Sequence, residues 1–150
     1  MDRDSFRENI LAAYTAGERN FQYVEWKDTI LNDIDLSGVN FTGAYFNAFI
    51  FENVDLSNAI FNGANMRGIA FVNCVLSKAS LEETILVEAG MNNTSLNGAN
   101  LRGALLYEAS LIRCSFVNAV VDEKVLRGCY LSETIMPSGE IFTNIIEDEW

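Results

Sequence analysis

The chain contains no histidine at all, and only one of its 150 residues is proline. Without histidine, the protein lacks the commonest general base, the commonest metal ligand and the residue that most often activates a nucleophilic Ser or Cys. The three cysteines, Cys74, Cys114 and Cys129, are an odd number and lack the spacing of metal ligands. We therefore expect a protein that is not an enzyme and that has no cofactor and no metal site.

Basic residues are also scarce, with 10 Lys and Arg against 21 Asp and Glu, a net charge of −11. Proteins that bind nucleic acids or anionic membranes need a basic surface, so we expect no direct binding to nucleic acid and no membrane binding. The chain has no long uninterrupted apolar run, and its acidic N-terminus lacks an apolar signal core. These absences favour a cytoplasmic location.

Apolar residues recur every five positions along most of the chain. Every fifth residue from Leu31 to Met136 is Leu, Phe, Met or Val. A helix predicts a period of 3.6 and a strand a period of 2, so the period belongs to an internal repeat. Two residues before these central residues Ala or Cys is common, and two residues after them Gly or Asn is common. Gly and Asn both tolerate the positive φ of a tight corner.

The repeated unit resembles that of a known family. Residues 64–68 (Ala-Asn-Met-Arg-Gly) and 99–103 (Ala-Asn-Leu-Arg-Gly) look like the A-(D/N)-L-x-x unit of pentapeptide repeat proteins, and the likeness covers residues 29–136. The lead-in at residues 14–21 resembles short cyanobacterial members. The resemblance implies an all-β fold, a right-handed quadrilateral β-helix with one unit per face. About six coils, stacked at about 4.8 Å, would then fill residues 21–136.

The N-terminal segment, residues 1–20, is predicted to be a helical cap and lead-in. Ser5 and Glu8 resemble a capping box, and Gly17 is a plausible helix stop. The spacing predicts a helix over residues 4–16 whose apolar face covers the first coil. That face is formed by Phe6, Ile10, Ala13 and Tyr14.

The C-terminal segment, residues 137–150, is predicted to be either a further partial coil or a folded-over cap with an acidic tail. Pro137 and Gly139 interrupt the units, whereas Ile141 and Ile146 keep the five-residue step. Residues 137–150 hold four acidic residues and no basic one, while residues 26–136 hold 12 acidic and 7 basic residues. Much of the negative charge thus lies outside the repeats.

Two units depart from the pattern. Phe49 is large where a small inward residue is usual, and Lys124 would carry an ammonium group into the core. We therefore expect a bulge at residues 122–125 that lets Lys124 reach water. The cysteines all occupy the small inward position, where we interpret them as buried substitutes for Ala. Cys74 and Cys114 lie two coils apart, too far for a disulfide.

One predicted surface is apolar over three coils. Its outward residues form a candidate interaction face, and a contiguous exposed apolar patch usually marks an interface. The candidate residues are Ile85, Val87, Leu105, Tyr107, Val125 and Arg127. Apolar residues can also lie on a strand surface through β-propensity alone, which leaves a non-functional explanation open.

Three classes of function compete for this sequence. We favour a non-catalytic binding or scaffold protein that uses a flat face, with an unidentified protein partner or self-association. The alternative, implied by the resemblance, is an acidic rod that mimics DNA and binds DNA gyrase or topoisomerase. The paired carboxylates Asp33 with Asp35 and Glu82 with Glu83 could suggest acid–base chemistry, but without histidine or an evident pocket we interpret them as a solvated surface.

Overall fold

Six parallel strands form one side of the molecule in a computed structural model that describes residues 2–142. The strands pair in chain order, each with the next, and central residues 20 apart lie side by side, such as Leu31 beside Phe51 and Leu111 beside Leu131. Five 20-residue turns separate Leu31 from Leu131. The strands are β1 (Glu25–Asp35), β2 (Tyr45–Asp55), β3 (Ala70–Val72), β4 (Gly90–Asn92), β5 (Ser110–Ile112) and β6 (Tyr130–Ser132).

The remaining sides of each coil pair through single parallel bridges in the same register. Asn40 pairs with Ile60, Tyr45 with Asn65 and Asp55 with Val75. A corner with positive φ occurs at every fifth residue from Tyr23 to Asn118. Four corners per coil give the quadrilateral β-helix that the resemblance to pentapeptide repeat proteins implies.

The interior is filled by the central residues and the small residues that precede them. Leu101, Leu106, Leu111 and Phe116, one from each side of a coil, are all buried. Aromatic columns fill the N-terminal half: the rings of Phe41 and Phe61 stack at 5.2 Å, and those of Phe51 and Phe71 at 5.5 Å. Phe49 is also inward and packs against Phe51, which explains how the large residue is accommodated.

The N-terminal helix, α1 (Arg3–Thr15), lies over the first coil. Phe6 packs edge-on against Trp26, and Ile10 is buried, as predicted for the apolar face. The predicted capping box is wrong, because Asp2 is the N-cap and its carboxylate accepts the amide of Ser5 at 2.9 Å. The helix therefore spans residues 3–15 rather than 4–16, and Gly17 follows it at φ +97°.

Two polar side chains of α1 complete the cap. In each regular coil, the carbonyl that follows a central residue accepts an amide from the coil below, as Arg102 accepts from Glu83. The first coil has no coil beneath it. Arg7 Nε donates instead to the carbonyl of Asn32 at 2.8 Å, and the Tyr14 hydroxyl donates to that of Ser37 at 2.9 Å. The helix thus replaces hydrogen bonds as well as covering apolar surface.

The β-helix is interrupted once within the described residues, at the short helix α2 (Glu123–Arg127). Positive φ is absent at positions 123 and 128 and returns at Glu133. Lys124 is exposed, so the expected escape to water is confirmed, although a helical turn rather than a bulge provides it. Leu126 still points inward and is fully buried.

After the last coil, the described chain folds back on itself. Strand β7 (Thr134–Ile135) pairs antiparallel with β8 (Ile141–Phe142), and Gly139 at φ +91° lies in the turn between them. Ile141 is exposed, so its place in the five-residue step does not continue the core. Of the two predicted forms, residues 137–142 adopt the folded-over one. Ile146 lies outside the described residues.

Candidate functional site

The predicted interaction face is continuous over two coils. Ile85 and Leu105 are bridged in parallel register, and Val87 and Tyr107 occupy equivalent positions two residues further along. Ile85 and Val87 are half-buried, whereas Leu105 is 42% exposed and Tyr107 is 67% exposed. The exposed part of the face is therefore centred on Leu105 and Tyr107.

The prediction that the face extends over a third coil is wrong. Val125 and Arg127 belong to α2 and not to a strand, so neither stacks in register on the coil below. Val125 remains exposed. Arg127 forms ion pairs with Glu123 at 3.7 Å and Glu140 at 3.2 Å and lies over the Phe142 ring. These contacts fix Arg127 as a link between α2 and the C-terminal turn.

The sequence explains why this coil becomes helical. Asp122 is the N-cap of α2, and its carboxylate accepts the amide of Lys124 at 2.9 Å. A strand in this register would bury the ammonium group of Lys124 at the small inward position, which is costly. The helix avoids that cost and still leaves Leu126 in its inward place.

An apolar groove of about 750 Å³ lies between α2 and the coil below it. Leu101, Leu105 and Leu106 line one side, and Val121 and Val125 line the other. The groove reaches the small inward residues, since Ala104 is 8% exposed, whereas Thr84 directly beneath it and Ala64 one coil further down are both 0% exposed. We call this feature the α2 groove.

Sequence reasoning missed several residues of the α2 groove. Val120, which is 55% exposed, and Ala104 and Ala119 were assigned to regular units. The available signal was Lys124, because a charged residue in an inward register indicates that the coil opens there. That signal locates the break but does not reveal that a helix leaves a groove beside it.

The cysteines have no evident chemical role. All three are free and buried, and burial raises the pKa of each thiol to about 11. Each thiol donates to a backbone carbonyl of the preceding coil, as Cys74 does to Phe51 at 3.2 Å. Thiols that stay protonated at neutral pH are poor nucleophiles and poor metal ligands. Within residues 2–142, no cluster of His, Cys, Asp or Glu is arranged to hold a metal ion.

The paired carboxylates make structural contacts. Asp35 accepts the amide of Ser37 at 2.8 Å, and Glu82 accepts the side-chain amide of Asn100 at 2.6 Å. These bonds stabilise a corner and a contact between coils, respectively. No helix of the described chain is long and apolar enough to cross a membrane.

Comparison with known proteins identifies the repeat. A family model described as Pentapeptide repeats matches in 8 copies, covering residues 34–71, 50–86 and 85–121. No curated protein matches the chain significantly.

Several solved structures are similar. A pentapeptide repeat protein from Nostoc Pcc 7120 is 30% identical over 83% of this chain and 94% of its own, with a TM-score of 0.44. One from the thylakoid lumen of Arabidopsis thaliana is 20% identical over 65% of this chain and 70% of its own, with a TM-score of 0.46. Rfr23 from the cyanobacterium Cyanothece 51142 is 21% identical over 85% of this chain and 97% of its own, with a TM-score of 0.42.

Proposed function

Since the chain belongs to the pentapeptide repeat family, we propose that it is a non-catalytic protein-binding module whose contact surface is the α2 groove. One observation carries the proposal: exposed apolar side chains gather where α2 interrupts the β-helix. Leu105, Tyr107, Val120 and Val125 are all at least 38% exposed there. A contiguous apolar surface of this kind is usually covered by a partner.

The same proposal holds that the protein is not an enzyme. The thiols are buried, and Asp122, the carboxylate that lines the groove, accepts the amide of Lys124 as the N-cap of α2, which leaves no activated nucleophile among these groups. The proposal also puts the protein in the cytoplasm, which its three free thiols support, because reducing compartments keep thiols unpaired.

Loss of binding in a variant with a charged groove tests the proposal. The double variant Leu105→Glu with Tyr107→Glu places two carboxylates on the groove, and both side chains point outward, so folding should survive. A matched control, Tyr45→Glu with Val75→Glu, adds the same charge at exposed apolar positions that do not line the groove. In a pull-down from the source cell followed by mass spectrometry, we expect the wild type and the control to retain partners that the groove variant loses.

Salt dependence provides a second criterion. An apolar contact should hold or tighten slightly as ionic strength rises, whereas a contact between exposed charges weakens.

Partners that both double variants retain equally would contradict the proposal. Self-association that the groove variant abolishes would identify a second copy as the partner.

The alternative function is a DNA mimic that binds DNA gyrase or topoisomerase. The net charge of −11 favours it, because a DNA-like rod needs a strong negative field. Against it, the acidic residues are spread over all sides of the β-helix, and Arg67 and Arg113 pair with Glu88 and Glu133.

A supercoiling assay with purified gyrase separates the two functions. The mimic predicts that the wild-type protein alters supercoiling and that neutralising the rod acids removes this effect. The acids to replace by Gln are Glu82, Glu83, Glu88 and Glu108. A protein-binding module of the kind we favour predicts no effect on gyrase.

A further inference from the structure

The α2 groove contains an open edge of the parallel ladder. In the regular coil below, three amides donate upward: Glu83 to Arg102 at 2.9 Å, Leu86 to Leu105 at 2.7 Å and Glu88 to Tyr107 at 2.8 Å. These bonds recur at equivalent positions in the other coils, such as Gly63 to Glu82 at 2.9 Å. In each regular coil, the same three amides are therefore paired with carbonyls of the coil above.

One coil higher, these acceptors are missing because α2 has left the ladder. The amides of Gly103, Leu106 and Glu108 have no acceptor within residues 2–142. The carbonyl of Ala104 likewise lacks the donor from above, since the amide of Val125 donates to Asp122 inside α2 at 2.9 Å. Three amides and one carbonyl along this edge are thus left without backbone partners from the coil above.

The open edge is bounded on both sides by intact pairing. The amide of Leu101 donates to Val120 at 2.8 Å, and that of Tyr130 donates to Ala109 at 2.9 Å. Between these points the pattern of three donors and one acceptor is complementary to an extended backbone. The groove beside it is mostly apolar and is lined by Ala104, whose small side chain leaves room for a small inward side chain above it.

We propose that the α2 groove binds an extended segment of a partner protein as an added parallel strand in the register that α2 vacates. This proposal rests on the protein-binding function above and specifies how binding occurs. Two carbonyls of the segment accept from Gly103 and Leu106, and one of its amides donates to Ala104. The segment leaves the edge before Glu108, because Leu126 already fills the next inward place. A small residue of the segment stacks on Ala104, and apolar neighbours pack along Leu105.

Charge determines which kind of segment binds. Glu108, at the downstream end of the open edge, forms no ion pair within the described residues, whereas Arg102 and Lys124, the cations that line the groove, lie upstream of it. An apolar segment followed by Lys or Arg therefore directs its positive charge towards Glu108. The net charge of −11 attracts a basic partner over a longer range and repels a second copy of this chain. The occupant is therefore a basic partner's strand rather than another protomer.

A synthetic peptide can test strand addition directly. The probe is fluorescein-labelled Arg-Gly-Ala-Leu-Leu-Tyr-Lys-Lys, which copies residues 102–107 and adds two lysines. In the native fold this sequence already pairs as a parallel strand, where the amide of Leu105 donates to Thr84 at 2.9 Å. We expect the probe to take the same register one coil further up. The amide of its first Leu then donates to the carbonyl of Ala104, and the amide of its second Leu points away from the edge.

Fluorescence anisotropy with two N-methylated probes measures the backbone contact. N-methylation of the first Leu removes the predicted donor and should weaken binding by about tenfold, while N-methylation of the second Leu should change binding by less than about twofold. Equal effects of the two methyl groups, or no saturable binding of the unmodified probe, would overturn the proposal.

A chimera closes the edge from within the chain. Residues 121–128 are replaced by the sequence of residues 101–108, which removes Lys124 and restores a regular unit of the same length. We expect this variant to bind the probe at least about tenfold more weakly, because its own strand occupies the edge. Unchanged affinity of the folded chimera for the probe would contradict strand addition. If the chimera does not fold, the two methylated probes alone test strand addition.

The outcomes for the two proposals can be told apart. If the probe fails while Leu105→Glu with Tyr107→Glu still abolishes partner capture, strand addition is refuted and the protein-binding function stands. If capture survives in that variant, the proposed function fails, whatever the probe does.

Discussion

Replacing Leu111 by Ala and replacing Leu101 by Ala remove the same carbon atoms from equivalent inward positions, yet we expect different losses of stability. Leu111 is fully buried, with Met91 and Leu131 beside it in the ladder. Leu101 is also buried, but it lines the α2 groove, and Val121 above it is only half-buried. The two sites thus differ in how well their surroundings can adjust.

The expected magnitudes follow from that difference. A Leu→Ala change in an enclosed core costs about 3–5 kcal/mol, because the cavity adds to the lost transfer free energy. We expect about 4 kcal/mol for Leu111→Ala, where intact coils hold the walls apart. We expect about 2–3 kcal/mol for Leu101→Ala, because groove side chains can shift into the space. The outward Ser110→Ala, a control in β5, should stay within about 0.5 kcal/mol.

Urea unfolding followed by circular dichroism measures all three variants. The free energies should rank Leu111→Ala as most destabilised, then Leu101→Ala, then Ser110→Ala. Thermal melting should give the same order, with a shift of about 2–4 °C for each kcal/mol. If Leu101→Ala cost as much as Leu111→Ala, the groove beside Leu101 would not be a deformable space, and the reasoning would fail.

Two further predictions concern the cap and the thiols. Tyr14→Phe removes the hydroxyl that donates to Ser37 and should lower the free energy of unfolding by about 1 kcal/mol, as measured in urea; an unchanged value would show that the hydroxyl does not cap the first coil. Burial raises the pKa of the three thiols from 9.0 to about 11, so the folded state holds protons that the unfolded state releases in this range. Their contribution is therefore present below pH 9 and is lost as the pH rises towards 11. Unfolding at pH 8 and pH 10 should reveal this loss in the wild type, and a variant with all three cysteines replaced by Ala should have a shallower pH dependence.

The five-residue period was sufficient to predict an internal repeat and its inward residues, and the resemblance to pentapeptide repeat proteins supplied the β-helix. Each central residue is large and apolar, so the inward register has no competing assignment. The corners were less fully predicted, because φ is also positive at Tyr23, Lys78 and Glu88, which rarely adopt it. Ladder hydrogen bonds impose that conformation, as when the amide of Lys78 donates to Asn97 at 2.9 Å.

The ends and the groove could be predicted only in part. An amphipathic pattern located α1, but the partners of Arg7 and Tyr14 are backbone carbonyls whose positions depend on how coils stack. Lys124 located the break in the β-helix, yet its consequence depends on the path of the chain around α2. Asn97, assigned to an outward position, accepts the amide of Val117 from the next coil at 3.2 Å, a contact that only the 20-residue stacking creates.

Hydrogen exchange of the free protein, followed residue by residue by NMR, tests the central claim that the β-helix presents an unpaired edge at the α2 groove. We expect fast exchange for the amides of Gly103, Leu106 and Glu108. The three equivalent amides one coil below, at residues 83, 86 and 88, are hydrogen-bonded and should exchange at least about 100-fold more slowly. Equal protection of the two sets of amides would contradict an unpaired edge, because the amides of Gly103, Leu106 and Glu108 would then already have partners.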